Sequence, residues 1–145
     1  NMEFEIDIEN KYKGGLEYSI AIKLHTIKAN FEYETVKIQW QDLCYRTYKP
    51  DFILDNGIII EAKGHFTAAH RRKHIEVKKQ HPNLDIRFVF GNSKNKLYKG
   101  SNTTYAQWCV EQGFLYHDRI IPEAWLKEKG KNEHPKFIKC IGGTK

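Results

Sequence analysis

KPDFILDNGIIIEAKG, running from Lys49 to Gly64, decides the reading of this chain. Two apolar runs, Phe52–Leu54 and Ile58–Ile60, flank Asp55-Asn56-Gly57. Asn-Gly between such runs is a strong short-range hairpin signal, because the turn needs residues that tolerate positive φ. A hairpin sets Asp51 and Glu61 opposite each other, far from the turn. Glu61 and Lys63 are two apart and share one side of the second strand. Two carboxylates and an ammonium thus converge on one patch. Hard oxygen ligands of this kind hold Mg2+. A neighbouring lysine can orient a water or neutralise a phosphate.

Pro50-Asp51 followed by Glu61-Ala62-Lys63 matches the PD-(D/E)xK signature of metal-dependent nucleases. The motif is short and chance matches are common; the plain alternative is an edge strand with solvated charges. Three details favour the nuclease. Gly64 after the lysine leaves room for close backbone approach. A basic helix follows. The whole chain is basic, with net charge +6. The charge is also unevenly placed: residues 63–99 carry ten Lys or Arg against two Asp or Glu, whereas residues 1–62 are net acidic. A positive block beside an acidic patch fits a phosphate-backbone footprint next to a metal site.

A length of 145 residues suits one compact domain, able to bury roughly 68–70% of its unfolded surface. No apolar stretch approaches membrane-spanning length, so no membrane association is expected. The start, NMEFEIDIEN, is acidic and lacks the apolar core of a signal peptide. Cys44, Cys109 and Cys140 match neither a zinc pattern nor a disulfide framework. Free thiols in a reducing cytoplasm are expected.

Along the chain, Gly14-Gly15 breaks an acidic arm. Leu16, Ile20, Ile22 (or Ala21), Leu24 and Ile27 recur at helical spacing to about Ala29, with Glu17 in the first turn, where the helix dipole favours it. Phe31–Trp40 alternates like a strand. Tyr45–Leu54 reads as a strand entering the hairpin. Thr67–Gln80 reads as a basic helix, Leu84–Phe90 as a buried strand, and Gly91–Thr103 as a polar, basic loop. Thr104–Gln112 is a helix ended by Gly113. Phe114–Tyr116 is a last short strand, and Pro122 opens a short helix that buries Trp125 and Leu126. This order implies an α/β fold, a sheet with helices packed on it.

Longer matches follow: GLE at Gly15–Glu17, FEYE at Phe31–Glu34, PDF at Pro50–Phe52, NGI at Asn56–Ile58, EAKG at Glu61–Gly64 and RKH at Arg72–His74. QHPNLDIRFVF at Gln80–Phe90, KLYKGS at Lys96–Ser101 and IIPEAWLKE at Ile120–Glu128 complete them. On these residues the chain resembles the phage T-seven endonuclease I family of four-way (Holliday) DNA junction resolvases. The resemblance implies a restriction-endonuclease-like mixed sheet flanked by helices, in a domain-swapped homodimer. Residues 1–14 would be a flexible arm, 15–128 a single nuclease domain and 129–145 a basic tail. Residues 15–40 would be exchanged with the partner chain, the linker lying near Gln41–Arg46. The catalytic set would be Glu17, Asp51, Glu61 and Lys63. Two Mg2+ or Mn2+ ions per site would be held by Asp51, Glu61, the Ala62 carbonyl and Glu17, with no other cofactor. The implied reaction is phosphodiester hydrolysis in branched DNA giving 5′-phosphate ends, and the implied setting is the bacterial cytoplasm, from a phage or prophage.

DNA-binding candidates are His65, Arg71, Arg72, Lys73 and His74 around the basic helix, and Lys94, Lys96, Tyr98 and Lys99 in the loop. His70 and His74 lie one helical turn apart and could share a metal, but no third ligand is evident. Tyr45, Trp108 and Trp125 read as core. The arm, with Glu3, Glu5, Asp7 and Glu9, is acidic where a DNA-embracing arm would be basic. The alternatives are another nuclease on the same scaffold, acting at transposon ends or mismatches, and a non-catalytic DNA-binding module.

Overall fold

The computed structural model describes residues 11–42, 44–129 and 134–135. Most of the expected N-terminal arm and basic tail, including Cys140, lies outside these residues. A five-stranded mixed sheet is built from β1 (Phe31–Tyr33), β4 (Phe52–Leu54), β5 (Ile59–Lys63), β6 (Ile86–Phe90) and β7 (Leu115–Asp118), side by side in that order. The first two pairings are antiparallel and the last two parallel. Between β1 and β4 the chain makes a separate antiparallel hairpin of β2 (Ile38–Gln41) and β3 (Tyr45–Tyr48).

Strand alternation sends side chains to two cores. Ile53, Ile59, Phe88 and Phe90 face α2 (Ala68–Gln80) and α3 (Tyr105–Gln112), where Phe66, Val77 and Trp108 pack. Phe52, Leu54, Ile60 and Val89 face the opposite way, toward α1 (Gly14–Thr26) and α4 (Glu123–Lys127). Helices therefore cover both faces, and the α/β architecture with a mixed sheet is as expected.

The key hairpin forms as read, with Phe52 opposite Ile60 and Ile53 opposite Ile59. Its loop has three residues, Asp55-Asn56-Gly57, rather than two. Leu54 pairs across it with Ile58, and Gly57 alone takes positive φ, +91°. That is the three-residue hairpin in which glycine makes the bulge.

Several boundaries differ from the sequence reading. Phe31–Trp40 is two strands, because Glu34 turns left-handed at φ +54° and gives its N–H to the Asp51 carbonyl. Tyr45–Leu54 is likewise broken at Lys49-Pro50-Asp51, where proline has no N–H for a ladder. In α1 it is Ala21, not Ile22, that is fully buried beside Ile20 and Leu24. Tyr12 is buried against Tyr33 and Phe52, so the packed domain begins before Gly14. Trp108 and Trp125 are core residues, but Tyr45 is 51% exposed on the β2–β3 hairpin.

Candidate active site

The antiparallel register brings Asp51 and Glu61 together at the open end of the hairpin. The backbone N–H of Asp51 donates to Glu61 Oε2 at 3.1 Å, and the N–H of Ala62 donates to Asp51 Oδ2 at 2.9 Å. Each carboxylate is thus pinned by the other strand's backbone. From here the two acidic groups enter different surroundings.

Glu61 points into the core beneath α2 and is 2% exposed. Tyr48 donates to its Oε2 at 2.7 Å. Lys63 Nζ and His74 Nε2 approach its Oε1 at 3.6 and 3.5 Å. Burial pushes the Glu61 carboxyl up, but His74, Lys63 and the Tyr48 hydroxyl outweigh it and hold the group at about 2. His74 itself is kept below its ordinary value by burial. Glu61 is therefore a carboxylate at neutral pH, hydrogen-bonded through Oε2 to Tyr48 and the Asp51 N–H, with Lys63 and His74 at ion-pair distance from Oε1.

Asp51 faces α1. Among the described residues, Glu17, Glu34 and Asp51 each offer an oxygen, all within 4.8 Å of one another. Helix α1 presents Glu17, and Tyr33 on β1 donates to its Oε1 at 2.6 Å. The left-handed turn at Glu34 brings the third carboxylate round, with Lys13 and Lys49 each 3.3 Å from its Oε1. Burial raises Asp51 to about 9, helped by the charges of Glu61 and Glu17; the Ala62 N–H and Lys63 offset this only in part. Burial also raises Glu17, against hydrogen bonds from Tyr33 and Asp51. A cluster this crowded holds a proton between carboxylates at neutral pH. An all-oxygen donor set under such repulsion fits a hard divalent cation, which would replace the proton.

All four residues of the expected catalytic set thus lie in one region. Glu61 stands on the far side of Asp51 from the three-carboxylate group. Glu34 was missed by the sequence reading, although it closes the quoted FEYE segment. Its role depends on a backbone turn that alternation does not reveal. Tyr48 and Lys49, immediately before Pro50, were also missed.

The expected DNA-binding residues divide. His65, Arg72, Lys94, Lys96, Tyr98 and Lys99 are exposed, Tyr98 at 65%. Arg71 is half-buried and donates to the Phe66 carbonyl at 2.7 Å, and Lys73 lies over the Tyr48 ring. His74 must be removed from the surface set. It is fully buried between Tyr48 and Phe88, where no phosphate reaches. His70 and His74 do not form a metal pair either. His70 Nδ1 accepts from the Thr67 N–H in the capping box of α2, while His74 turns to Glu61. Burial and nearby positive charge depress His70 to about 4, so it is neutral at physiological pH. Trp40, Tyr45, Arg46, His70, Arg72 and Lys73 line an open groove of about 610 Å3 beside the site. Arg46 extends the basic surface beyond the residues read from sequence.

Gly64 follows Lys63 with open space around it; a Cβ there would meet nothing within 4 Å. Protein packing therefore does not demand glycine at this position, in keeping with room for a ligand. No helix among the described residues is long and apolar enough to cross a membrane. Of the described cysteines, Cys44 and Cys109 are free thiols.

The chain is similar to proteins of established kind. Over 135 residues it is 41% identical to Endonuclease I of Escherichia phage T7, covering 92% of this chain and 91% of that protein. Over 121 residues it is 43% identical to Endodeoxyribonuclease 1 of Enterobacteria phage T3, covering 83% and 80%. The family model described as phage endonuclease I matches residues 3–145, nearly the whole length. With an acidic centre at the mouth of its key hairpin and relatives matched almost end to end, this chain belongs to the phage endonuclease I family.

Proposed function

We propose that the protein is a structure-selective DNA endonuclease that cleaves four-way and other branched junctions by metal-dependent phosphodiester hydrolysis, leaving 5′-phosphate ends. The observation that carries this reading is the convergence of Glu17, Glu34 and Asp51 within 4.8 Å, next to the Glu61–Lys63 pair. Family membership supports the nuclease class. The exposed lysines and arginines around α2 and in residues 94–99 supply a phosphate-binding surface. Selection of a branched substrate rests on shape and phosphate position, since no element presents an evident code for base edges.

Asp51, Glu61, the Ala62 carbonyl and Glu17 would hold two divalent cations, Mg2+ or Mn2+, and Glu34 stands close enough to join them. When bound, these ions supply Lewis-acid polarisation and make water acidic enough to be a nucleophile near neutral pH. The protein's own groups do the rest. Tyr48 and the Asp51 N–H fix Glu61 in its ionised form. Lys63 places a positive charge where the phosphate develops extra negative charge during in-line attack. Tyr33 holds Glu17 toward Asp51.

The reading includes a homodimer in which residues 15–40 pass to the partner, the linker lying near Gln41–Arg46. Glu17 would then meet Asp51 of the opposite chain through the same contact described here within one. Co-expression of differently tagged Glu17→Gln and Lys63→Ala chains tests this. With exchange, the mixed dimer has one intact site and nicks one strand; without it, both sites are damaged and nicking is absent.

The function itself is tested by incubating the protein with duplex, mismatched, forked and four-way DNA in Mg2+. Selective cleavage of the four-way substrate, with 5′-phosphate products, is expected. Preference for mismatched or unbranched duplex would replace the junction reading with another nuclease activity. Binding without cleavage of any substrate would leave a DNA-binding module.

A further inference from the structure

His74 is an unusual choice for its place in the fold. On α2 only His74 and Val77 are buried, and their neighbours are apolar and aromatic: Tyr48 at 5.3 Å, Phe88 at 4.9 Å, both edge-on. An imidazole in such a place carries a desolvation cost that a hydrocarbon would not. Neither of its ring nitrogens makes a hydrogen bond among the described residues. What it does face is Glu61: Nε2 stands 3.5 Å from Oε1, at ion-pair distance and without hydrogen-bond geometry, so a small shift of the carboxylate would bring the two into a hydrogen bond.

The two Glu61 oxygens are held unequally. Oε2 has two donors, the Tyr48 hydroxyl and the Asp51 N–H, both on rigid elements. Oε1 has Lys63 and His74. Lys63 stands on a long, flexible stem at the mouth of the site, and the proposed chemistry calls it to the phosphate. Once it turns there, His74 is the group left to restrain Oε1. We propose that His74 is a positioning residue: from inside the core it fixes the orientation of the Glu61 carboxylate for the divalent cation, leaving Lys63 free to act on the substrate. This inference rests on the reading of the site as a cation-dependent nuclease centre. Groups that orient a metal-ligating carboxylate are worth about 10–100-fold in metal affinity or activity.

Glutamine and methionine have nearly the same shape, but only glutamine carries an N–H donor. His74→Gln and His74→Met are therefore compared by Mn2+ binding isotherm, with thermal melting and junction affinity in EDTA as controls. Asp51→Asn serves as the centre-null reference. The expected result is a Mn2+ dissociation constant raised about 10–100-fold in His74→Met. His74→Gln should recover most of the wild-type affinity, and both variants should bind junctions in EDTA like the wild type. Equal Mn2+ affinity in the two variants would overturn the positioning role. If His74→Met does not fold, His74→Phe takes its place as the donor-free variant. If neither folds while His74→Gln does, the donor is structural and the proposal falls. Wild-type protein whose Mn2+ binding is no stronger than that of Asp51→Asn would overturn the reading of the centre itself, an outcome distinct from loss of the His74 effect alone.

Discussion

Asp51 and Glu61 sit opposite each other on one hairpin, joined by an N–H from the first to the second, yet they carry opposite protonation. Glu61 is the more deeply buried, and burial alone would leave it neutral. It is ionised because donors surround it: Tyr48, His74, Lys63 and a backbone N–H. Asp51 lies nearer the surface but meets other carboxylates, Glu17 and Glu34, and is driven up to about 9. Partner chemistry, more than depth, sets the state of each group. Glu61 is already ionised by its protein neighbours before any cation arrives. Asp51 belongs to a crowded acidic cluster whose repulsion the proposed cation would relieve.

The sharpest way to break this contrast is at Asp51. Asp51→Asn should lower junction cleavage about a hundred- to a thousandfold, the scale on which single electrostatic participants act. Junction affinity in EDTA should stay near wild type, because the proposed phosphate contacts lie elsewhere. A variant that cleaves at the wild-type rate would remove Asp51 from the centre.

Stability should respond in opposite directions. Glu61→Ala strands the buried Tyr48 hydroxyl and removes the anion beside Lys63 and His74, and should cost about 3 kcal/mol, read by urea unfolding of the metal-free protein. Asp51→Asn should instead raise the metal-free melting temperature near pH 7, since an amide needs no proton taken up on folding. A gain of 1 kcal/mol is worth about 3 °C in a chain of this size. Destabilisation by both would erase the distinction.

The pH dependence of metal-free melting sharpens it further. Folded Asp51 titrates at about 9 against an ordinary 3.8, so the folded state holds the extra proton. Its contribution to stability is complete below about pH 4 and is lost as pH rises through 9. Glu61, at about 2 against 4.5, contributes above pH 4.5 and loses that contribution as pH falls through 2. Between pH 5 and 9 the metal-free wild type should therefore lose stability, and Asp51→Asn should lose less. A parallel decline in both proteins would point to other groups.

The smallest effect lies at the edge of the account. Lys99→Ala should weaken junction binding uniformly across sequences and reduce the salt dependence of log affinity by about one unit of slope. An unchanged salt slope would take Lys99 out of the phosphate surface.

The hairpin and its carboxylate pair were legible in sequence because turn chemistry and strand period are local properties. Helices α2 and α3 were legible for the same reason, down to Gly113 as terminator at φ +79°; Thr104, read as the first helical residue, is the N-cap. Glu34 was not, since its place depends on a positive φ fixed by a distant N–H bond to Asp51. The break at Pro50 was readable, because proline inside a strand run argues for an end. His74 was readable too: it lies three residues before Val77, on the inner face of α2. Reading every histidine of a basic helix as a surface group hid it. The proposed exchange of segments between chains would leave no local mark, because the same contacts would serve within one chain or between two.

The central claim, that Asp51 holds a proton which a cation displaces while Glu61 holds none, is tested most directly by calorimetry. Mn2+ is titrated into wild type and Asp51→Asn near pH 7 in two buffers of different ionisation enthalpy. The account predicts release of about one proton on cation binding by the wild type, and none from any residual binding to Asp51→Asn. Cation binding by the wild type with no buffer-dependent heat would contradict it.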